Sequence, residues 1–298
     1  MTKKINFKIG SRDIELFTAL DRSPMTARQL CRLSETFSMP FPDNGNLRRR
    51  LRKFAAAGLV NKFPYAIAAD GRTPSYYKLT KDGYRLLYGV DATLPKRRYF
   101  AAISPGHHHH TNSLAEVIVH LCVTAKTNDC RVLHFARENS VKLVAEPFTL
   151  YPDAAFVIER SDGRRFSFVV EFDNGTERVR SKQDVESIER KLRGYLAHQS
   201  KFSAHDPNRY VVLFVTTRSS KRLRYVFETA AEIMSSNRRT VFTGCGLEDF
   251  LKHDPFRKAV FENHFGLKRL MVPPVQQSSH GENTFSHVPN LGAIASTV

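Results

Sequence analysis

The chain has 298 residues, 41% hydrophobic and 25% charged, a globular composition that excludes a disordered polyelectrolyte and fits one large domain or two ordinary ones. No apolar run approaches the roughly 20 residues that cross a bilayer, and MTKKINFKIG lacks the apolar core of a secretory signal, so no membrane partner is expected and the reading is cytoplasmic. The formal charge is +17, and residues 1–100 hold 20 Lys+Arg against 8 Asp+Glu, so +12 of it lies in the first third; an excess so placed points to a polyanion, nucleic acid above all, with plain solubility as the alternative.

Three helices and a hairpin are expected in that basic third. SRDIELFTALDRSP carries Ile14, Phe17 and Leu20 at helical spacing, with Ser11 as cap and Pro24 beyond the end. MTARQLCRLS follows, capped by Thr26. After the Pro- and Gly-bearing loop MPFPDNG comes NLRRRLRKFAAAGLV, in which Leu47, Leu51 and Phe54 form one inward stripe and Gly58 ends the helix. VNKFPYAIAADGRTPSYYKLT reads as two strands about an Asp70-Gly71 turn, and KDGYRLLYG as a closing helix.

RRLRKFAAAGLV and DGRTPSYYKLTKDG resemble the third helix and wing of the winged helix-turn-helix superfamily. That resemblance implies a basic helix in the major groove of double-stranded DNA and a wing along the backbone. The residues expected to contact DNA are Asn46, Arg48, Arg49, Arg50 and Lys53 on the helix, and Arg72 and Lys78 on the wing. A protein-docking use of the same fold is the alternative, and part of this set can be merely solvated.

Residues 1–92 are therefore read as a DNA-binding domain and 93–106, with VDATLPKRRYFAAISPG, as a linker. His107 to His110 open a helix, TNSLAEVIVHLCVTAK, and are read as a surface cap, with metal or catalytic duty for one of them as the alternative. The four cysteines Cys31, Cys122, Cys130 and Cys245 show no CxxC pairing, which argues against zinc or disulfides. From 107 to 270 the elements run α-β-β-β-α-β-α-β, an α/β (α+β) domain with a central mixed sheet. Residues 271–298 are expected to form a disordered tail.

FVVEFDNGTE poses the chemical question. Side chains alternate along a strand, so Glu171 and Asp173 share one face at the end of an apolar run. In PDAAFVIERSDGRRFSFVVEFD, Asp153 begins the preceding strand across a tight turn, so Asp153 and Glu171 can reach one divalent cation. Hard oxygen ligands of this kind suit Mg2+ or Mn2+, which polarises a phosphodiester and acidifies a bound water. Pairing with Arg164, Arg165 or Arg178 in a structural network is the alternative.

The element order and the PD…ExD spacing resemble the PD-(D/E)xK nuclease superfamily. That resemblance implies Asp153 and Glu171 as metal ligands, Glu116 on the preceding helix as an extra acid, and a catalytic set of Asp153, Glu171, Asp173 and Lys191. Asp173 stands where the pattern has lysine, so Lys191 in IERKLRGYL is the candidate for a relocated lysine, with Lys182 second. The winged helix followed by PD…VEFDNGTE and KLRGY also resembles the replication-relaxation family of plasmid and mobile-element proteins, through Glu171, Asp173, Gly175, Thr176, Glu177, Lys191 and Tyr195. This implies a role in plasmid replication and DNA relaxation, association with nucleoid or plasmid, and other replication or relaxation proteins as partners. Two readings follow: a metal-dependent DNA endonuclease or nickase, or an inactive DNA-binding accessory or regulator. Tyr195, one turn after Lys191, is either a relaxase-like nucleophile or a half-buried tyrosine with a satisfied hydroxyl. No heptad or evident dimer helix appears.

Overall fold

The structure is a computed structural model and describes residues 8–67, 73–181, 187–203, 206–234 and 239–274. The chain divides into two compact units, Met1–Val123 and Thr124–Val298.

The first unit opens with α1 (Ser11–Arg22), β1 (Met25–Thr26), α2 (Ala27–Leu33) and α3 (Asn44–Ala56). In α1 the inward stripe is Leu16, Phe17 and Leu20, while Ile14 is 37% exposed. Gly10, not Ser11, caps it, because Asp13 accepts from the Gly10 amide at 2.8 Å. In α2, Thr26 and Gln29 exchange side chain–backbone bonds at 3.2 and 2.7 Å, a capping box. Leu47, Leu51 and Phe54 of α3 are fully buried, and Phe54 meets Phe17 at 4.8 Å between ring centres. Gly58 takes φ +75°, the left-handed turn that ends α3.

β2 (Val60–Pro64) and β3 (Ser75–Leu79) pair antiparallel, and β1 adds on the far side of β3. α4 (Lys81–Tyr88), capped by Thr80, and the short α5 (Arg97–Phe100) follow. Three helices, a hairpin and a three-stranded sheet in the order β1-β3-β2 make a winged helix-turn-helix. Residues 68–72, with the expected Asp70-Gly71 turn, lie outside the described residues.

α6 (His108–Thr127) runs through the division between the units, where sequence reading placed the boundary at 93–106. Side-chain contacts explain why its first half belongs with the winged helix. Gln29 donates to Glu116 at 2.9 Å, Arg32 meets His120 at 2.8 Å, and His108 sits against Tyr65 and Tyr76.

The second unit holds β4 (Arg131–Ala136), the hairpin β5 (Leu143–Ala145) and β6 (Phe148–Leu150), β7 (Ala154–Glu159), β8 (Arg165–Asp173), α7 (Ile188–Gln199), β9 (Val211–Thr216), α8 (Ser220–Ile233), β10 (Phe242–Gly246), α9 (Leu247–Lys252), β11 (Phe261–Asn263) and β12 (Lys268–Arg269). Seven strands form one mixed sheet in the order β12-β11-β10-β9-β8-β7-β4. β8 is central: it pairs antiparallel with β7 and parallel with β9, which pairs parallel with β10. Val169 on one face of β8 joins Leu192, Tyr195, Val212, Phe214 and Val226 in the core beneath α7 and α8. Phe168 on the other face stacks on Phe156 at 5.5 Å.

The sequence reading missed α9 and the last two strands, which are short and carry no period. It also assigned residues 271–274 to a disordered tail. Met271 and Val272 are instead buried, with the Met271 amide on the Pro255 carbonyl at 2.8 Å. The rest of that expected tail, from residue 275, lies outside the described residues.

Candidate functional site

The antiparallel register sets Ala154 opposite Val170. One residue further, Asp153 falls opposite Glu171, with the Asp153 amide on the Val170 carbonyl at 3.0 Å. The Asp153 carboxylate accepts from the Phe172 amide at 2.7 Å. The two acids therefore occupy facing positions on adjoining strands, as their spacing predicts.

Glu171 is 5% exposed and receives both of its partners from α7. Lys191 donates to Oε2 at 3.0 Å, and the Tyr195 hydroxyl donates to Oε1. Lys191 also donates to Glu177 at 2.9 Å, so one ammonium joins two carboxylates. The loop that carries Glu177 is tied to the start of α7, where the amides of Ile188 and Glu189 meet the carbonyls of Arg178 and Val179 at 3.0 and 2.8 Å. Lys182 lies outside the described residues.

These contacts set the electrostatics. Burial pushes the Glu171 carboxyl up to about 7, against the Lys191 ammonium that pulls it down, and the nearby Asp153 charge adds to the rise. For Lys191, burial pulls down, but Glu171 and Glu177 outweigh it and hold the ammonium above its usual range. Burial and the Glu171 charge raise the Tyr195 phenol well above its usual value, and its side chain is 0% exposed. The Tyr195 hydroxyl is fully buried and spends its proton on Glu171, which fits the reading of a buried tyrosine with a satisfied hydroxyl and not that of a relaxase-like nucleophile open to DNA.

Asp173 has a different role from the one expected. Its carboxylate accepts from Arg222 Nε at 2.6 Å and Nη2 at 2.8 Å, from Thr216 at 3.0 Å and from the Gly175 amide at 2.8 Å. Burial acts to raise its carboxyl, yet the Arg222 fork and these donors hold it below the usual carboxylate range. With its oxygens committed to Arg222, Asp173 is a structural corner between β8, β9 and α8 and is removed from the catalytic set. Arg164 and Arg165, the expected alternative partners, lie with Asp162 at 3.7 Å and with Glu159 at 2.6 Å. Arg222 and Thr216 were missed by sequence reading, since nothing local marks them.

Glu116 is held in the first unit, by Gln29 at 2.9 Å and by Arg32 at 4.0 Å, so the extra-acid role expected for it meets carboxylate oxygens already engaged. His108 is buried, not a surface cap: its ring accepts from the Ala66 amide at 2.7 Å and meets the Ile103 carbonyl at 3.0 Å.

On α3, Arg48, Arg49, Arg52 and Lys53 are exposed and pair with no carboxylate among the described residues. Asn46 bonds the capping Asp43 and receives Arg49. Arg50 turns inward instead, onto the buried Asp13 of α1, with Nε at 2.8 Å from Oδ1. Lys78 is 7% exposed and donates to the Ala101 carbonyl at 2.7 Å, because β3 is the middle strand of its sheet. Both leave the DNA-facing set for that reason, while Arg72 lies outside the described residues. A basic concavity of about 310 Å3 beside α3 adds Arg12, whose guanidinium lies 4.2 Å over the Phe41 ring.

A winged helix joined to an α/β unit with facing acids defines a DNA-related class. The profile of the replication-relaxation family matches residues 20–210, more than half of the chain, and the chain belongs to that family. A solved structure of a PadR family transcription regulator from hypervirulent Clostridium difficile R20291 is 20% identical, covers 26% of this chain and 81% of that chain, and has a TM-score of 0.24. No curated protein matches. Among the described residues no helix is long and apolar enough to cross a membrane.

Proposed function

We propose that this protein binds duplex DNA through the exposed face of α3 and hydrolyses a phosphodiester at Asp153 and Glu171, as a metal-dependent endonuclease or nickase of plasmid or mobile-element replication. The observation that carries the reading is the bond from Lys191 to Glu171 at 3.0 Å, beside the facing Asp153. It supplies from α7 the lysine that position 173 lacks, on the buried acid whose ionisation the nearby Asp153 charge opposes.

The donor set fits a hard divalent cation. Both candidate ligands are carboxylates, and the charge on Asp153 opposes ionisation of Glu171, a repulsion that Mg2+ or Mn2+ would relieve. When bound, such an ion supplies Lewis-acid polarisation and a more acidic water. The chain's own residues do the remainder: Lys191 faces the developing phosphate charge, and Tyr195 fixes the carboxylate plane. A role on plasmid DNA implies a cytoplasmic protein, associated with the nucleoid or plasmid.

A second reading is an inactive DNA-binding accessory. It is favoured by the saturation of Glu171, whose two oxygens already carry Lys191 and Tyr195. Incubation with supercoiled plasmid and Mg2+ or Mn2+ separates the two. Nicking that is lost in Glu171→Gln and Lys191→Met, with duplex binding intact, supports the enzyme; no cleavage with either metal leaves the accessory.

A further inference from the structure

Asp173, Thr216 and Gly246 end β8, β9 and β10 in one register row. Beyond that row a crevice of about 740 Å3 opens between the loops that follow β9 and β10. Open α/β sheets place ligands in such crevices, outside the carboxyl ends of parallel strands. Neighbouring strands lie about 4.8 Å apart, so the crevice begins one strand over from the acids on β8.

Its walls differ in charge. The segment after β9 and the start of α8 contribute Thr217, Arg218, Ser219 and Arg224, α9 contributes Glu248 and Asp249, and Glu262 and Lys268, paired at 3.0 Å, also line it. Arg224 is exposed and pairs with no carboxylate among the described residues. Arg218 lies back toward the acid site, its Nε donating to the Asn174 carbonyl at 2.6 Å. Gly175 makes that possible. A Cβ there would sit 2.5 Å from Arg218 Nε, and the residue holds φ +72°. The glycine of the DNGTE stretch therefore lets Arg218 lie close against the backbone that follows β8, between the acid-bearing strand and the crevice.

We propose that this crevice carries a single DNA strand away from the acid site, with Arg218 and Arg224 on its phosphates. The inference rests on the phosphodiester reading of Asp153 and Glu171, and adds the path of the strand. The charge of the walls favours one strand over two. Phosphates of a second strand would face Glu248 and Asp249, whereas those carboxylates accept hydrogen bonds from the amino groups of bases.

Fluorescence anisotropy of a labelled oligo-dC with the full chain, over a series of salt concentrations, tests this. Arg224→Ala alters an exposed side chain, so folding is not at stake. It is expected to weaken single-strand binding severalfold and to reduce the salt slope by about 0.7, the value for one phosphate on a single strand. Arg218→Ala does the same, and neither changes duplex binding through Arg48 and Arg52. Wild-type affinity and slope in both variants overturn the inference. So does equal weakening on duplex and single strand, or a chain that binds duplex but no oligo-dC. A loss on oligo-dC in these variants, in a chain that binds no Mn2+, supports the strand path and removes the metal reading instead.

Discussion

Tyr195 donates its phenolic proton to one oxygen of Glu171, one helical turn beyond the lysine that holds the other oxygen at 3.0 Å. The spacing of four residues puts both donors on one side of α7. The K-x-x-x-Y portion of the motif thus has a physical meaning: it is a two-point clamp on a buried carboxylate. Above pH 7, where Glu171 is ionised, Tyr195→Phe removes one charge-assisted bond and leaves the ring in place. A cost of about 1.5–3 kcal/mol is expected, read as a lower urea midpoint at unchanged m-value. No covalent tyrosyl–DNA adduct forms in the wild type, and an adduct trapped at Tyr195 would contradict this geometry.

Glu171 predicts a pH dependence of stability. Its carboxyl is pushed up to about 7 in the fold from an ordinary 4.5. Between those values the native chain keeps a proton that the unfolded chain has lost. The native state then binds more protons, so stability falls as pH rises through this window and levels off above it. Urea unfolding at several pH values, in wild type and Glu171→Gln, reads this fall directly. A slope that survives the substitution would assign it to another group.

The same proton competes with a cation. Ligand carboxylates must ionise, so Mn2+ is expected to raise the melting temperature more above pH 7 than below it. The rise should vanish in Asp153→Asn. Equal stabilisation by Mn2+ at pH 6 and 8, or persistence in Asp153→Asn, would place the ion elsewhere.

Asp173 and Arg222 form a buried pair, 6% and 19% exposed. Removing either partner leaves a charge unpaired in the interior, at a cost of about 3–5 kcal/mol. Asp173→Leu with Arg222→Met together should cost less than either single change, which a double-mutant cycle measures. Asp173→Lys, which would restore the lysine of the nuclease pattern, sets two cations face to face and is expected to unfold the region, not to activate it.

What could be read from the residues alone followed from period and register. Glu171 and Asp173 share a face because strands alternate, and Asp153 faces Glu171 because the turn at Gly163 closes a hairpin. The partner of Asp173 was hidden, since Arg222 lies 49 residues away within SSKRLR, where other cations stand beside it. Arg50 was hidden in the same way: in NLRRRLRK it looks like its neighbours, and only the burial of Asp13 on a different helix separates it from them. Lys78 shows a third cause. A basic residue on a wing strand reads as exposed until the pairing of β1 beside β3 makes that strand central.

The division of labour on α3 is testable for that reason. Arg48 and Arg52 are exposed, whereas Arg50 forks onto Asp13, whose side chain is 5% exposed. Arg48→Ala and Arg52→Ala should each weaken duplex binding and reduce the salt slope by about 0.9, one phosphate contact of double-stranded DNA. Their melting temperatures should match the wild type. Arg50→Ala should behave in the opposite way. It leaves Asp13 buried without its cation, at a cost of about 3–5 kcal/mol, and the fraction that remains folded should keep the wild-type salt slope. Anisotropy across a salt series, with thermal melts of the same samples, reads both quantities. A reduced slope at unchanged stability in Arg50→Ala would return that arginine to the DNA-facing set.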